Sequence, residues 1–304
     1  MVTFPWLNLI PIIGFWLIIK TSLTDCHPET DWNSIISRVY GGTQAKSDEY
    51  PWIAHLRFFI GKNTTRYGLC GGSLIDDRHI VTAAHCIHDA SKNLRPIDSV
   101  EVYVGVKDLT SLNKPYKVFK YFYPNDYNQD SLYNDIAILR LTKKVTFTDQ
   151  VSPICLAGSL NRPFLTLTVA GYGRLGPNRK PATSLMKVDV EFIDRKTCNQ
   201  MLRDFIIRMN PDIEARQEKF KMPQVHSSHL CAVDTLTGGD ACSGDSGGPL
   251  MYQNRKDGRY YAVGIVSGAM DECGDPRTPG FYTTIAKFRP FIEKVAPKST
   301  FCDI

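Results

Sequence analysis

From Val39 onward the chain is a succession of short apolar runs, each closed by turn-forming residues. Trp52-Ile53-Ala54-His55-Leu56-Arg57-Phe58-Phe59, Val100-Glu101-Val102-Tyr103-Val104 and Tyr261-Ala262-Val263-Gly264-Ile265-Val266 are examples. β-Branched and aromatic side chains dominate them and suit a pleated, half-buried surface, while Gly, Pro and Asn punctuate their ends. Strands repeated this closely predict a sandwich or a closed barrel. No internal repeat is visible. One segment has helical spacing: Ile285, Ala286, Phe288, Phe291, Ile292 and Val295 share a face, with Pro290 poorly suited to the middle of such a helix.

The 304 residues can bury a sizeable core, and all-β units of this size occur as one domain. A net charge of +5, with Lys and Arg scattered, speaks for solubility and against a nucleic-acid partner. Nine cysteines without paired C-x-x-C spacing argue for disulfides in an oxidising compartment and against a zinc site. The stretch from Phe4 to Ile19 is mostly apolar, interrupted by Pro5, Asn8 and Pro11. It is short for a membrane span and reads as a secretory signal over residues 1–22, removed between Thr21 and Asp25. No Lys or Arg precedes it, and an uncleaved anchor is the alternative. Residues 23–38 then form a short polar pro-segment, and the protein is expected to be secreted, extracellular and off the membrane once the signal is removed.

The run Gly239-Asp240-Ala241-Cys242-Ser243-Gly244-Asp245-Ser246-Gly247-Gly248-Pro249-Leu250 serves neither helix nor strand. Glycines around one serine give a tightly bent, bare backbone whose amides can face whatever the hydroxyl attacks. A hydroxyl is a weak nucleophile and needs a base within reach; imidazole, titrating near neutral pH, is the usual one. Upstream lie Thr82-Ala83-Ala84-His85-Cys86 and Asn134-Asp135-Ile136-Ala137-Ile138-Leu139.

With these three motifs in the order His, Asp, Ser, the chain from Arg38 to about Val295 resembles the chymotrypsin-like (trypsin-like) serine proteases. The resemblance implies an all-β fold of two packed antiparallel six-stranded β-barrels with a C-terminal helix, spanning residues 39–304, and a site in the cleft between them. His85 and Asp135 would belong to the first barrel and Ser246 to the second. Ser246 would be the nucleophile and His85 the base, with Asp135 orienting it; the amides of Gly244 and Ser246 would form the oxyanion hole. Asp240 would sit at the base of the primary pocket and select Arg or Lys, since a buried carboxylate without a partner is costly. Ser267 and Gly268 would border the pocket and Gly280 would keep its wall open. One departure is plain: where the family usually has Ser-Trp-Gly, this chain has Ser267-Gly268-Ala269.

Ser37-Arg38-Val39-Tyr40-Gly41-Gly42 resembles the family's activation junction. Cutting after Arg38 would free the Val39 amine to pair with Asp245. The resemblance pairs Cys70 with Cys86, Cys198 with Cys231, Cys242 with Cys273 and Cys26 with Cys155, and leaves Cys302 over. Asn63-Thr64-Thr65 is a glycosylation sequon, and the charged stretch Asn199–Leu230 is longer than the family's usual loop. No cofactor or metal is expected: Val106 stands where a calcium-binding Glu would be, and His88 is not read as completing a metal pair with His85. His27, His55, His79, His226 and His229 read as surface or packing residues. The expected partners are protein substrates with Arg or Lys before the cut, an activating protease and protein inhibitors. The alternative is a catalytically weak or silent homologue that acts as a binding protein.

Overall fold

The structure, a computed structural model, describes residues 41–302 except Ser47, 61–64, Ala90, 159–164, 177–178, 212–223 and 271–272. The expected signal and pro-segment, Cys26, Arg38, Val39 and Asn63 lie outside the described residues.

A two-residue strand, β1 (Thr43–Gln44), precedes six strands that close on themselves: β2 (Ile53–Phe59), β3 (Tyr67–Leu74), β4 (His79–Thr82), β5 (Val100–Val104), β6 (Tyr116–Phe122) and β7 (Ala137–Leu141). Their order around the barrel is β2-β3-β4-β7-β6-β5. After β8 (Cys155–Ala157) come β9 (Thr166–Gly171), β10 (Met186–Ile193), β11 (His229–Val233), β12 (Pro249–Gln253), β13 (Tyr260–Ala269) and β14 (Gly280–Thr284). These run β12-β9-β10-β11-β14-β13, and β12 pairs again with β13 to close a second six-stranded antiparallel barrel. Within each ring every strand is paired on both sides, so closure removes free edges there. Strand β10 shows why such sequences pair: Met186, Val188 and Val190 point into the core while Asp189 and Glu191 face water. In β6 a bulge between Val118 and Lys120 interrupts that alternation, and Phe119 is left exposed.

The first barrel's core runs on into Met251, Ala262 and Ile265 of the second barrel and into Ile285, Phe288 and Ile292 of the C-terminal segment. A separate cluster, including Leu167, Val188, Leu250 and Tyr282, fills the second barrel.

The expected helix over Ile285–Val295 divides in two: a 3-10 turn at Ala286–Phe288, then a helix over Arg289–Val295. Pro290 stands in that helix's first turn, where its missing N–H would have had no partner anyway, so the proline starts the helix instead of breaking it. Two other helices occur among the described residues. Helix α1 is one turn, Ala84–Ile87, and α2 spans Arg195–Met209; the C-terminal one is α3. The first part of the charged stretch read as a loop is therefore helical. Asp194 caps α2 by accepting from the Thr197 amide at 2.8 Å.

Three disulfides join Cys70 to Cys86, Cys198 to Cys231 and Cys242 to Cys273. The fourth corrects the sequence expectation. Cys155 pairs with Cys302, not with Cys26. The reason lies in the tail: β15 (Phe301–Cys302) runs parallel to β8 in the register Cys302↔Ala157. This brings the Cα atoms of Cys155 and Cys302 to 6.2 Å, within the range a disulfide spans.

Candidate functional site

Strands β4 and β7 are antiparallel neighbours, with Thr82 opposite Ala137. His85 follows the end of β4 and Asp135 precedes the start of β7, so pairing alone delivers both to one end of the barrel. Asp135 is reached through Asn134, whose backbone is left-handed (φ 57°), a conformation Asn tolerates better than most residues. The Asp135 carboxylate is fully buried and grips His85 twice: Oδ1 accepts from the His85 amide at 2.9 Å, and Oδ2 lies 2.8 Å from Nδ1. That contact puts the proton on Nδ1 and leaves Nε2 as the basic lone pair. Burial disfavours charge on His85, but the Asp135 carboxylate and its hydrogen bond outweigh it and raise the imidazole above its ordinary range. For Asp135, too, burial is the largest influence and pushes upward; the His85 charge and hydrogen bonds from His85 and Ser267 overcome it and hold the carboxyl low.

Two groups that anchor Asp135 come from the second barrel. Ser267 Oγ donates to Oδ2 at 2.5 Å and Thr283 Oγ1 donates to the Asp135 carbonyl at 2.8 Å. Strand β13 shifts register between Val266 and Gly268, and Ser267 is the extra residue of that bulge. A bulge re-aims its side chain, and here it turns the hydroxyl toward Asp135. The resemblance places Ser267 at the pocket border and gives Thr283 no role; neither contact is visible without the sheet register.

The turn carrying Ser246 meets the first barrel from the other side. Ser246 is half-buried, and its carbonyl accepts from the Gly71 amide at 2.7 Å. The Cys86 sulfur lies 3.5 Å from that carbonyl and 3.8 Å from His85 Nε2, so one atom touches both the serine segment and the imidazole. Gly244 (φ 105°) and Gly247 (φ 81°) take backbone conformations that side chains resist, and a Cβ at Gly247 would collide with Thr82 Oγ1. Within the turn the amides of Asp245, Gly247 and Gly248 bond to the carbonyls of Cys242, Val266 and Asp245. The amides of Gly244 and Ser246 make no hydrogen bond to any described residue.

Asp240 is 9 % exposed and has no cation beside it among the described residues. Burial, with a smaller contribution from the Asp245 charge, pushes its carboxyl up to about 7 despite a hydrogen bond from the Ala241 amide. A Cβ at Gly280 would come within 3.2 Å of Asp240 Oδ1, so the absent side chain leaves the approach to this carboxylate open. Asp245 is wholly buried, with its carboxylate against Gly171 and Gly173. Its oxygens accept from the amides of Gly173 (2.7 Å) and Cys242 (3.0 Å), yet burial dominates and lifts it to about 6.

The remaining described histidines have packing or hydrogen-bond partners; His27 lies outside the described residues. His88 contacts the Ala84 carbonyl and sits between the rings of Tyr123 and Tyr127; His79 contacts the Asp76 carboxylate; His55 lies between Tyr103 and Tyr172. Cys70, His85 and Cys86 cluster as metal ligands might, but the two sulfurs are bonded to each other. No described helix is long and apolar enough to cross a membrane.

Comparison with known proteins agrees with this geometry. The clotting factor G beta subunit of Tachypleus tridentatus is 31 % identical over 267 residues, covering 86 % of this chain and 80 % of its own. Serine protease 41 of Homo sapiens is 33 % identical, covering 86 % and 77 %, and the CLIP domain-containing serine protease B4 of Anopheles gambiae 33 %, covering 85 % and 70 %. The Trypsin family profile matches residues 39–292, which include the His85–Asp135 pair, the Ser246 turn and both barrels; the chain belongs to the trypsin family of serine proteases.

Proposed function

We propose that this protein is a secreted serine endopeptidase that cleaves after Arg or Lys. The observation that carries the reading is the meeting of the Asp135–His85 pair, its carboxylate fully buried, with a serine turn whose Gly244 and Ser246 amides bond to no described residue. Ser246 Oγ attacks the substrate carbonyl, His85 Nε2 takes its proton, and Asp135 stabilises the imidazolium without accepting the proton. The two amides hold the oxyanion; losing one such donor typically slows a reaction by about 10²–10³-fold. His85 then protonates the leaving amine, and water releases the acyl group by the same steps. Asp240, buried and with no counter-charge among the described residues, supports selection of a cationic side chain. The experiment is hydrolysis of an arginine ester by the Arg38-cleaved protein; no turnover under those conditions would favour a silent binding homologue.

The same proposal includes activation by cleavage after Arg38. The buried Asp245 carboxylate, with no cation beside it among the described residues, supports it, since a freed amine would supply a charge there. Arg38→Gln is expected to yield folded protein with no arginine-ester activity after exposure to trypsin, while the parent gains activity. Full activity in the variant, without cleavage, rules the scheme out. Because Cys155 is already bonded to Cys302, the amino-terminal piece is expected to separate from the cleaved protein without reductant. A gel on which the two stay together until reduced would contradict this.

A further inference from the structure

Strands β6 and β7 turn a basic face to solvent. Lys120 stands directly opposite Arg140 in their antiparallel ladder, and like charges in that position repel. Neither has an ion pair with a described residue. On its other side Arg140 faces His79 of β4. The carboxylate there, Asp76, is buried and already taken: it accepts from the amides of Arg78 and His79 and lies 2.8 Å from His79 Nδ1.

Phe119 sits beside the two cations. The bulge that inserts it leaves the residue 59 % exposed, with the Arg140 guanidinium 5.6 Å from the ring centroid. Further cations flank the ring. The Thr142 amide donates to the Lys117 carbonyl at 2.9 Å, which keeps Lys143 beside the start of β6, exposed and without an ion pair to a described residue. Lys117 is paired with Glu101, while Lys144 and Lys298 share the one carboxylate of Asp77.

A basic strand face by itself is a solvated surface. Two features set this one apart. Its opposed cations carry a repulsion that an anion would relieve, and its bulge presents to water an aromatic ring that a partner could bury. We propose that the outer face of β6 and β7 around Phe119 is a docking surface for an acidic segment of a partner protein, with an apolar residue among its carboxylates. A uniformly charged chain such as a sulfated polysaccharide would meet the cations and leave the ring wet; a peptide of this kind meets both. Arg140 lies five residues beyond Asp135 on the segment that forms β7, roughly 16 Å at the rise of a strand. The partner therefore docks away from the His85–Asp135 pair.

The test is fluorescence anisotropy of a capped glutamate peptide with two adjacent leucines at its centre, titrated with the purified protein at low ionic strength. Saturable binding is expected. Lys120→Glu combined with Arg140→Glu should weaken it by at least about tenfold. Phe119→Ser in the protein, or serines for the leucines of the peptide, should each weaken it by about fivefold. Arg255→Glu with Lys256→Glu, an exposed pair in the turn after β12, should leave affinity within about twofold of the parent. Thermal unfolding midpoints near the parent's show that the variants fold. Amide NMR of the parent needs no variant: the peptide should move the signals of Val118–Tyr121 and Arg140. No saturable binding by the parent, unchanged affinity in the Lys120 and Arg140 variant, or unmoved signals on β6 overturns the proposal. Equal affinity for the serine peptide also overturns it, as does tighter binding of dextran sulfate with no loss in Phe119→Ser, which would mark a polysaccharide site. All of these readouts are binding, so none of them bears on the peptidase reading, which the arginine-ester experiment decides.

Discussion

Ser246→Ala is expected to abolish arginine-ester hydrolysis, lowering kcat in the Arg38-cleaved protein by about five to six orders of magnitude. The size follows from the way the three groups act in the proposed mechanism. Without the hydroxyl there is nothing for His85 to deprotonate, and only the oxyanion amides and the pocket continue to assist attack by water. His85→Ala should therefore cost about as much, and the double variant scarcely more, because residues that act as one unit do not contribute additively. Steady-state kinetics with active-site-titrated protein checks this. Binding of a small amidinium to the Asp240 pocket, retained in Ser246→Ala, shows that the fold has survived. A Ser246→Ala protein within tenfold of the parent would mean that another group is the nucleophile.

Asp240→Asn should lower kcat/KM for arginine substrates by roughly two to four orders of magnitude, since breaking a buried charge pair costs about 3–5 kcal/mol. The affected charge is the substrate's own, stranded in the pocket without a counter-ion. Neutral substrates should lose far less, so selectivity as well as rate must fall. Unchanged cleavage of arginine esters would remove Asp240 from the pocket. The pH dependence has a definite sign. Burial above all holds Asp240 near 7, and a cation bound beside it as proposed must lower that value by favouring the carboxylate. Amidinium affinity should be complete above that pH and weaken as pH falls through it, with about one proton released on binding at lower pH. Calorimetry in buffers of different ionisation enthalpy measures the proton count; affinity that is flat from pH 8 to 5 would contradict the account.

The legible part of the site is the part built from local backbone chemistry. The glycines around Ser246 mark a turn that must take left-handed conformations at Gly244 and Gly247, and such demands are written in the residues themselves. The strands are legible for the same reason: Ile53–Phe59 and Val100–Val104 carry β-branched and aromatic residues and form β2 and β5. The anchors of Asp135 are another matter. A serine in a strand has the same composition whether its hydroxyl faces a pocket or a carboxylate, and the bulge at Ser267 decides between them.

The cysteines divide along the same line. Their number and scatter predict disulfides, yet Cys302 reached Cys155 only because the last two strand residues lie parallel to β8. By itself the sequence determined strand-rich local structure, the bent serine turn and the residue types needed for acyl transfer, because these depend on preferences felt within a few bonds. The tertiary structure decided which hydroxyl supports Asp135 and which cysteine takes Cys155. Each of these is a contact between distant segments, set by strand register and barrel closure, and no single segment encodes it.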